Sequence, residues 1–265
     1  MIALYIKMWR DHWKSLLSWT LVTITLVSIQ MSVYPSIAKS GKDFETFLEN
    51  YPDAIKKIFR MQDYTTGAGF LSTELYSMMI PLVLIAIGAT WGASATAEEE
   101  DKGTADILFS FPISRTRIVV TKILATISVI TFVGIIAAIN IIALRNIVHL
   151  TIDTADLFSA TASCIAIGLF FTSVAFVCGS LTSHKGASLG IATGISLILF
   201  LIYSLEALVD TFDSISPFNP FNWGLEGNAL FEGLDLAGIL KLSTASLVLL
   251  IFSVMYFKRK DIRSQ

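Results

Sequence analysis

The residues of this chain best suited to chemistry are three histidines, two cysteines and one run of four acids. His12, His149 and His184 fall in separate segments, so no metal-ligand spacing is spelled out, and H-E-x-x-H is absent. Cys164 and Cys178 share one apolar run. Fourteen helical residues put them about 21 Å apart, too far for a disulfide with each other. Gly41-Lys42 is the nearest approach to a phosphate-binding loop, but it lacks the upstream glycine and is followed by Asp43. No means of hydrolysing ATP is recognisable. What remains is Glu98-Glu99-Glu100-Asp101, four acids that must end in water, and the segment behind them.

The elements that would position these residues are unusually oily. Apolar residues make up 54% of the chain and charged residues only 15%, against about 25% in an average globular protein. Nearly all charges lie between six runs that contain none: Ser15–Ala38, Leu75–Ala97, Ile123–Leu144, Leu157–Ser183, Gly186–Leu205 and Leu242–Phe257. A helix needs roughly 20 apolar residues, at about 1.5 Å each, to cross about 30 Å of hydrocarbon. Five runs reach that length, and the sixth does once Leu236–Leu240 and the single Lys241 are added. The predicted fold class is therefore all-α: a polytopic membrane protein of one domain, residues 1–265. Its six transmembrane helices are expected over 15–38, 75–97, 118–144, 157–182, 186–208 and 236–257. The first run exceeds the roughly 7–15 residues of a signal-peptide core, so it is expected to stay as a span. A net charge of −2 without a basic stripe excludes nucleic acid as a partner; the lipid bilayer takes that place.

Orientation follows from the basic residues. Lys7, Arg10, Lys14, Lys102, Arg115, Arg117, Lys122, Lys185, Lys258, Arg259, Lys260 and Arg263 fall on the side of the termini. Lys39, Lys42, Lys56, Lys57, Arg60, Arg145 and Lys241 fall opposite. Twelve against seven predicts that both termini are cytoplasmic, because translocating Lys and Arg is disfavoured. The expected location is the cell membrane.

Between the spans the pattern is more specific. Residues 3–14 mix Trp9 and Trp13 with Lys7, Arg10 and Lys14, which predicts a helix at the cytoplasmic interface. The external loop 39–74 shows apolar residues at intervals of three and four, with Pro52 opening a second helix, so a small helical cap is expected there. Pro81 should kink the second span and is a candidate for a pathway or gate. Glu206 and Lys241, near the outer ends of their helices, could pair and are candidates for the same role, with Glu74 at a third outer edge. Ionisable residues inside the bilayer, the usual mark of an ion pathway, are scarce. The loop carrying Ser216–Trp223 is broken by Pro217 and Pro220, and its aromatics are expected at the outer interface.

The cytoplasmic loop 98–117 carries the most information. Glu98, Glu99, Glu100 and Asp101 end the second span in water, and Gly103 breaks the helix. Thr104 can cap a new short helix exposing Ile107, Leu108 and Phe111 until Pro112 stops it. Ser114 can cap the third span, and Arg115 and Arg117 anchor it at the headgroups. A short apolar helix without a core of its own is either a partner-binding surface or a segment lying along the membrane interface.

The order of acids, Gly103-Thr104, Ile107-Leu108, Pro112, Ser114-Arg115 and Lys122 resembles the inner loop of type-2 ABC exporter permeases. Six spans, inside termini, the interfacial first helix and Ser216–Phe218 before the last span extend the likeness along the whole chain. The resemblance implies a non-catalytic permease whose segment 103–115 is a coupling helix seated on a separate ATP-hydrolysing subunit. Two ATPases, holding ATP and Mg, and a second permease copy or a related permease would complete the transporter; no cofactor is expected on this chain. The helical outer loop is similar to that of antibiotic- and peptide-exporting members. The competing readings are a self-sufficient carrier or channel and a non-transporting scaffold or sensor.

Overall fold

The computed structural model describes residues 2–49, 63–103 and 113–259. The charge-free runs become helices. In chain order they are α1 (Ile2–Asp11), α2 (Trp13–Glu49), α3 (Gly67–Asp101), α4 (Arg115–Arg145), α5 (Thr154–Thr182), α6 (Lys185–Leu205), α7 (Pro220–Leu225) and α8 (Leu236–Arg259). Six of them, α2 to α6 and α8, are long and apolar enough to cross a membrane, as their uncharged stretches predict. Polar residues set their ends. Asp153 accepts the Ala155 N–H at the start of α5, and Ser114 accepts the Arg117 N–H at the start of α4.

α3 and α5 form the centre of the bundle: 61% of the most apolar stretch of each is buried, against 17% in α2 and 22% in α6 and α8. Small residues let this pair approach closely, as packing between helices in lipid requires. A Cβ on Gly88 would stand 2.0 Å from Thr172 Oγ1, so nothing larger than glycine fits there without displacing α5. Hydrogen bonds pin the outer helices. Asn140 Nδ2 on α4 donates to Ile24 O (3.0 Å) and Ser28 Oγ (3.2 Å) on α2, while Ser180 and Ser253 hydroxyls on α5 and α8 meet at 2.7 Å.

The structure departs from the sequence expectations at four places. The interfacial helix ends at Asp11, and Trp9 and Trp13 belong to different helices instead of sharing one face. Trp9 packs on Tyr5 and edge-on against Phe132 of α4, because a broken chain can fold its aromatic back onto the bundle. The first span runs past Ala38 to Gly41, where the backbone leaves helical geometry (φ +37°), and a second helix continues from there to Glu49. The expected helix opened by Pro52 lies outside the described residues. At Pro81 the irregularity takes the form of a π-helical stretch, Ser72–Met79, in which Ile80 N–H reaches back to Leu75 O. A proline ring presses on the carbonyl four residues earlier, and the widened turn upstream shifts that register. Finally, Phe221 is fully buried instead of interfacial. Pro220 starts α7, whose cap Asn219 also donates to Leu199 O, and that turns Phe221 inward onto Phe171, Phe200 and Tyr203.

Candidate functional site

The acid run sits at the carboxyl end of α3, where the helix dipole is already negative, so each carboxylate needs a cation. Successive residues point about 100° apart on a helix, so Glu98 and Asp101 face one way and Glu99 another. Glu98 accepts a hydrogen bond from Lys102 Nζ (2.6 Å), with Lys185 Nζ at 3.7 Å and His12 Nε2 at 3.8 Å. Glu99 is bound by Lys122 Nζ, which also donates to Ala95 O at 2.8 Å. Asp101 meets His184 Nδ1 at 3.1 Å and accepts the Lys185 backbone N–H at 3.3 Å. That last contact places a carboxylate on the first turn of α6, where the dipole favours it. The end of α3 is thus tied to the α1–α2 junction, to the second turn of α4 and to the start of α6.

Lys122 is the most constrained member. It is 7% exposed, and its ammonium is satisfied by one carboxylate and one carbonyl of the neighbouring helix. A buried cation is tolerated when so paired, and removing one partner costs far more than removing both. His12 lies against the Trp91 ring, centroids 5.1 Å apart. Burial pulls its pKa below the ordinary 6.5, outweighing the opposing pull of Glu98, so the ring is held neutral at pH 7.

Gly103, at φ +64°, ends α3 in a conformation that favours glycine. On the far side of the loop Ile113 is exposed, Ser114 caps α4 and Arg115 opens it. Thr104, Ile107, Leu108, Phe111 and Pro112 lie outside the described residues. At the opposite end, Glu74 accepts from Gln30 Nε2 (3.0 Å) and Tyr64 OH (2.5 Å). Glu206 accepts from Ser216 Oγ (3.0 Å) and Asn222 Nδ2 (2.8 Å), while Lys241 is exposed on α8. Neutral donors, which the sequence expectations did not include, thus hold both outer carboxylates.

Sequence reasoning missed His12, His184 and Lys185 as partners of the acids. The signal was there: acids at a helix carboxyl end demand cations, and the charge count had put Lys185 on the same side. A second pattern passed over is Gly186-Ala187-Ser188-Leu189-Gly190, a G-x-S-x-G sequence. Ser188 is fully buried within α6 and donates to Ala175 O at 3.0 Å, so it is a packing hydroxyl and no nucleophile. Cys164 and Cys178 are free and buried. Among the described residues no three His, Cys, Asp or Glu side chains are grouped to hold a metal ion. The arrangement can carry force between helices; it has no reacting group.

The family model described as "ABC-2 family transporter protein" matches residues 2–262. No curated protein matches the sequence.

Proposed function

The chain belongs to the ABC-2 transporter family, as a non-catalytic, multi-pass membrane permease subunit, and from that premise we propose that residues 103–115 receive the stroke of the ATPase and the acid clasp spreads it. Permeases of this family act with ATPase subunits. In the proposed assembly two ATPases bind ATP and Mg, two permeases stand side by side, and the α3–α4 loop faces the cytoplasm with both termini. The apolar side chains of Ile107, Leu108 and Phe111, expected from the sequence to face the cytosol, would seat in a groove of the ATPase. Transport is outward, with amphipathic or apolar cargo suited to the apolar helix walls. Pro81, Glu206 and Lys241 are kept as the candidate pathway or gate residues.

The observation that carries this reading is the Lys122 bridge to Glu99 and Ala95 O. It joins the helices entering and leaving the loop, so a push on the loop moves α3 and α4 together. Through Lys185 and His184 the start of α6 follows. The test is Leu108→Glu with Phe111→Glu in the assembled transporter. Desolvating two carboxylates against an apolar groove should lower ATPase association by at least about 100-fold, roughly 2.7 kcal/mol. The permease itself should still insert and keep its melting temperature. Undiminished association and cargo-stimulated hydrolysis would remove the loop from the coupling path.

A further inference from the structure

A hollow of about 420 Å3 lies in the wall of the bundle, with α5 as its floor and α4 and α8 as its sides. The hollow is open on one side, and its apolar walls lack packing partners unless an occupant fills it. Its chemistry disfavours polar ones. Of the three lining hydroxyls, two are spent on their own helices, Thr172 Oγ1 on Gly168 O (2.6 Å) and Ser246 Oγ on Leu242 O (2.7 Å), and the third belongs to Ser243. The rest is nearly all hydrocarbon, including Ile123, Ile127, Ile165, Leu169 and Leu250.

Shape and position narrow the choice. The lining residues on α8 run from Ile239 to Leu250 and those on α5 from Ala162 to Phe176, so the hollow is a furrow about 16–21 Å long, parallel to the helices. Half of a bilayer's hydrocarbon is about 15 Å. The furrow is also continuous with the surface that must face lipid. Leu124 on α4 and Leu247 and Ile251 on α8, beside its mouth, are 48%, 58% and 50% exposed. We propose that this furrow is a binding site for one acyl chain of a membrane phospholipid, taken up sideways from the bilayer.

The floor gives the site a mechanical meaning. Thr172 and Phe176 line the furrow and also press on α3 at Gly88 and Gly92. An occupant wedged there sets how closely α5 can follow α3. A chain that enters and leaves would tune that packing, independently of how the ATPase docks.

The test uses the full-length protein in phosphatidylcholine vesicles doped with phosphatidylcholine carrying a diazirine in one acyl chain. After irradiation, peptides covering 162–176 and 239–250 should be labelled about tenfold above the exposed residues Leu197, Ile198 and Leu201 of α6, as a site binding one decade more tightly than bulk lipid contact requires. Ala162→Phe with Ser243→Phe should reduce labelling to the α6 level. Leu247→Trp, a change at the exposed mouth that leaves folding alone, should lower labelling of 162–176 in the same direction. Labelling equal to that of α6 in the unaltered protein, or unmoved by both variants, overturns the proposal. So does labelling below the α6 level, the sign that another helix or a second copy fills the furrow.

Discussion

The two ends of the bundle treat acids in opposite ways. Beside the α3–α4 loop, Glu98, Glu99 and Asp101 are met by the cations Lys102, Lys122 and Lys185, with the rings of His12 and His184 as further partners. At the other end, Glu74 and Glu206 are met by an amide, a phenol, a hydroxyl and a second amide. Opposite charges attract over a distance of many ångströms, fall off gradually and survive a sliding contact. Hydrogen bonds from neutral donors weaken steeply once geometry is lost. The loop end is therefore wired to stay connected while it moves, and the far end to hold one shape.

The largest effect that would break this contrast is at Lys122. Lys122→Met removes the side-chain donor to Ala95 O and takes from Glu99 its buried cation. Because Glu99 is 30% exposed, the cost should be on the order of 2 kcal/mol, below the ~3–5 kcal/mol of a fully buried pair. Adding Glu99→Gln should recover about half of it, since both charges then go together. Thermal melts of the purified protein give the comparison; a double variant no better than the single one would show that the pair is not the source of the stability.

A smaller loss is expected at the far end. Glu74→Gln keeps one acceptor but turns an N–H toward Gln30 or Tyr64, at about 1 kcal/mol. Burial, and then the bond to Glu74, push the Tyr64 phenol above its ordinary value, so it stays a donor throughout the working pH range. The melting shift should be the same in low and high salt, whereas the shift of Lys102→Met, whose exposed ammonium pairs with Glu98, should shrink as salt rises. Equal salt dependence at both ends would erase the distinction.

The smallest effect separates the ends by pH. Folding lowers the His12 pKa below the 6.5 of the unfolded chain, so the unfolded state binds the extra proton first. The contribution of neutral His12 is complete above pH 6.5 and is lost as pH falls from there through the depressed folded value. His12→Gln should flatten this part of the stability curve between pH 7 and pH 5.5. A curve unchanged by the substitution would mean that the Trp91 contact does not depend on the charge of the ring.

The spans were readable because crossing hydrocarbon demands an uninterrupted apolar run, a local property that any segment shows on its own. The start of α4 was readable for a similar reason: Ser114 acts within one turn. The partners of the acids were not, since His12 and Lys185 reach Glu98, and Lys122 reaches Glu99, only through the packing of separate helices. Periodicity describes a face and is silent on what faces it. Pro81 pointed to an irregularity but not its form, which depends on how α3 accommodates the ring upstream. Phe221 misled because an aromatic just after a pair of prolines looks interfacial until Asn219 turns it inward.

The wide turn over Ser72–Met79 has a consequence of its own. One residue more than an α-helix needs is folded into it, so α3 carries a spare step of about 1.5 Å and 100°. Deleting a single residue there would let the coil close up, swinging Gly67–Leu71 around the axis and parting Glu74 from Gln30. The same slack lets the helix lengthen or shorten by one notch while both of its ends stay anchored.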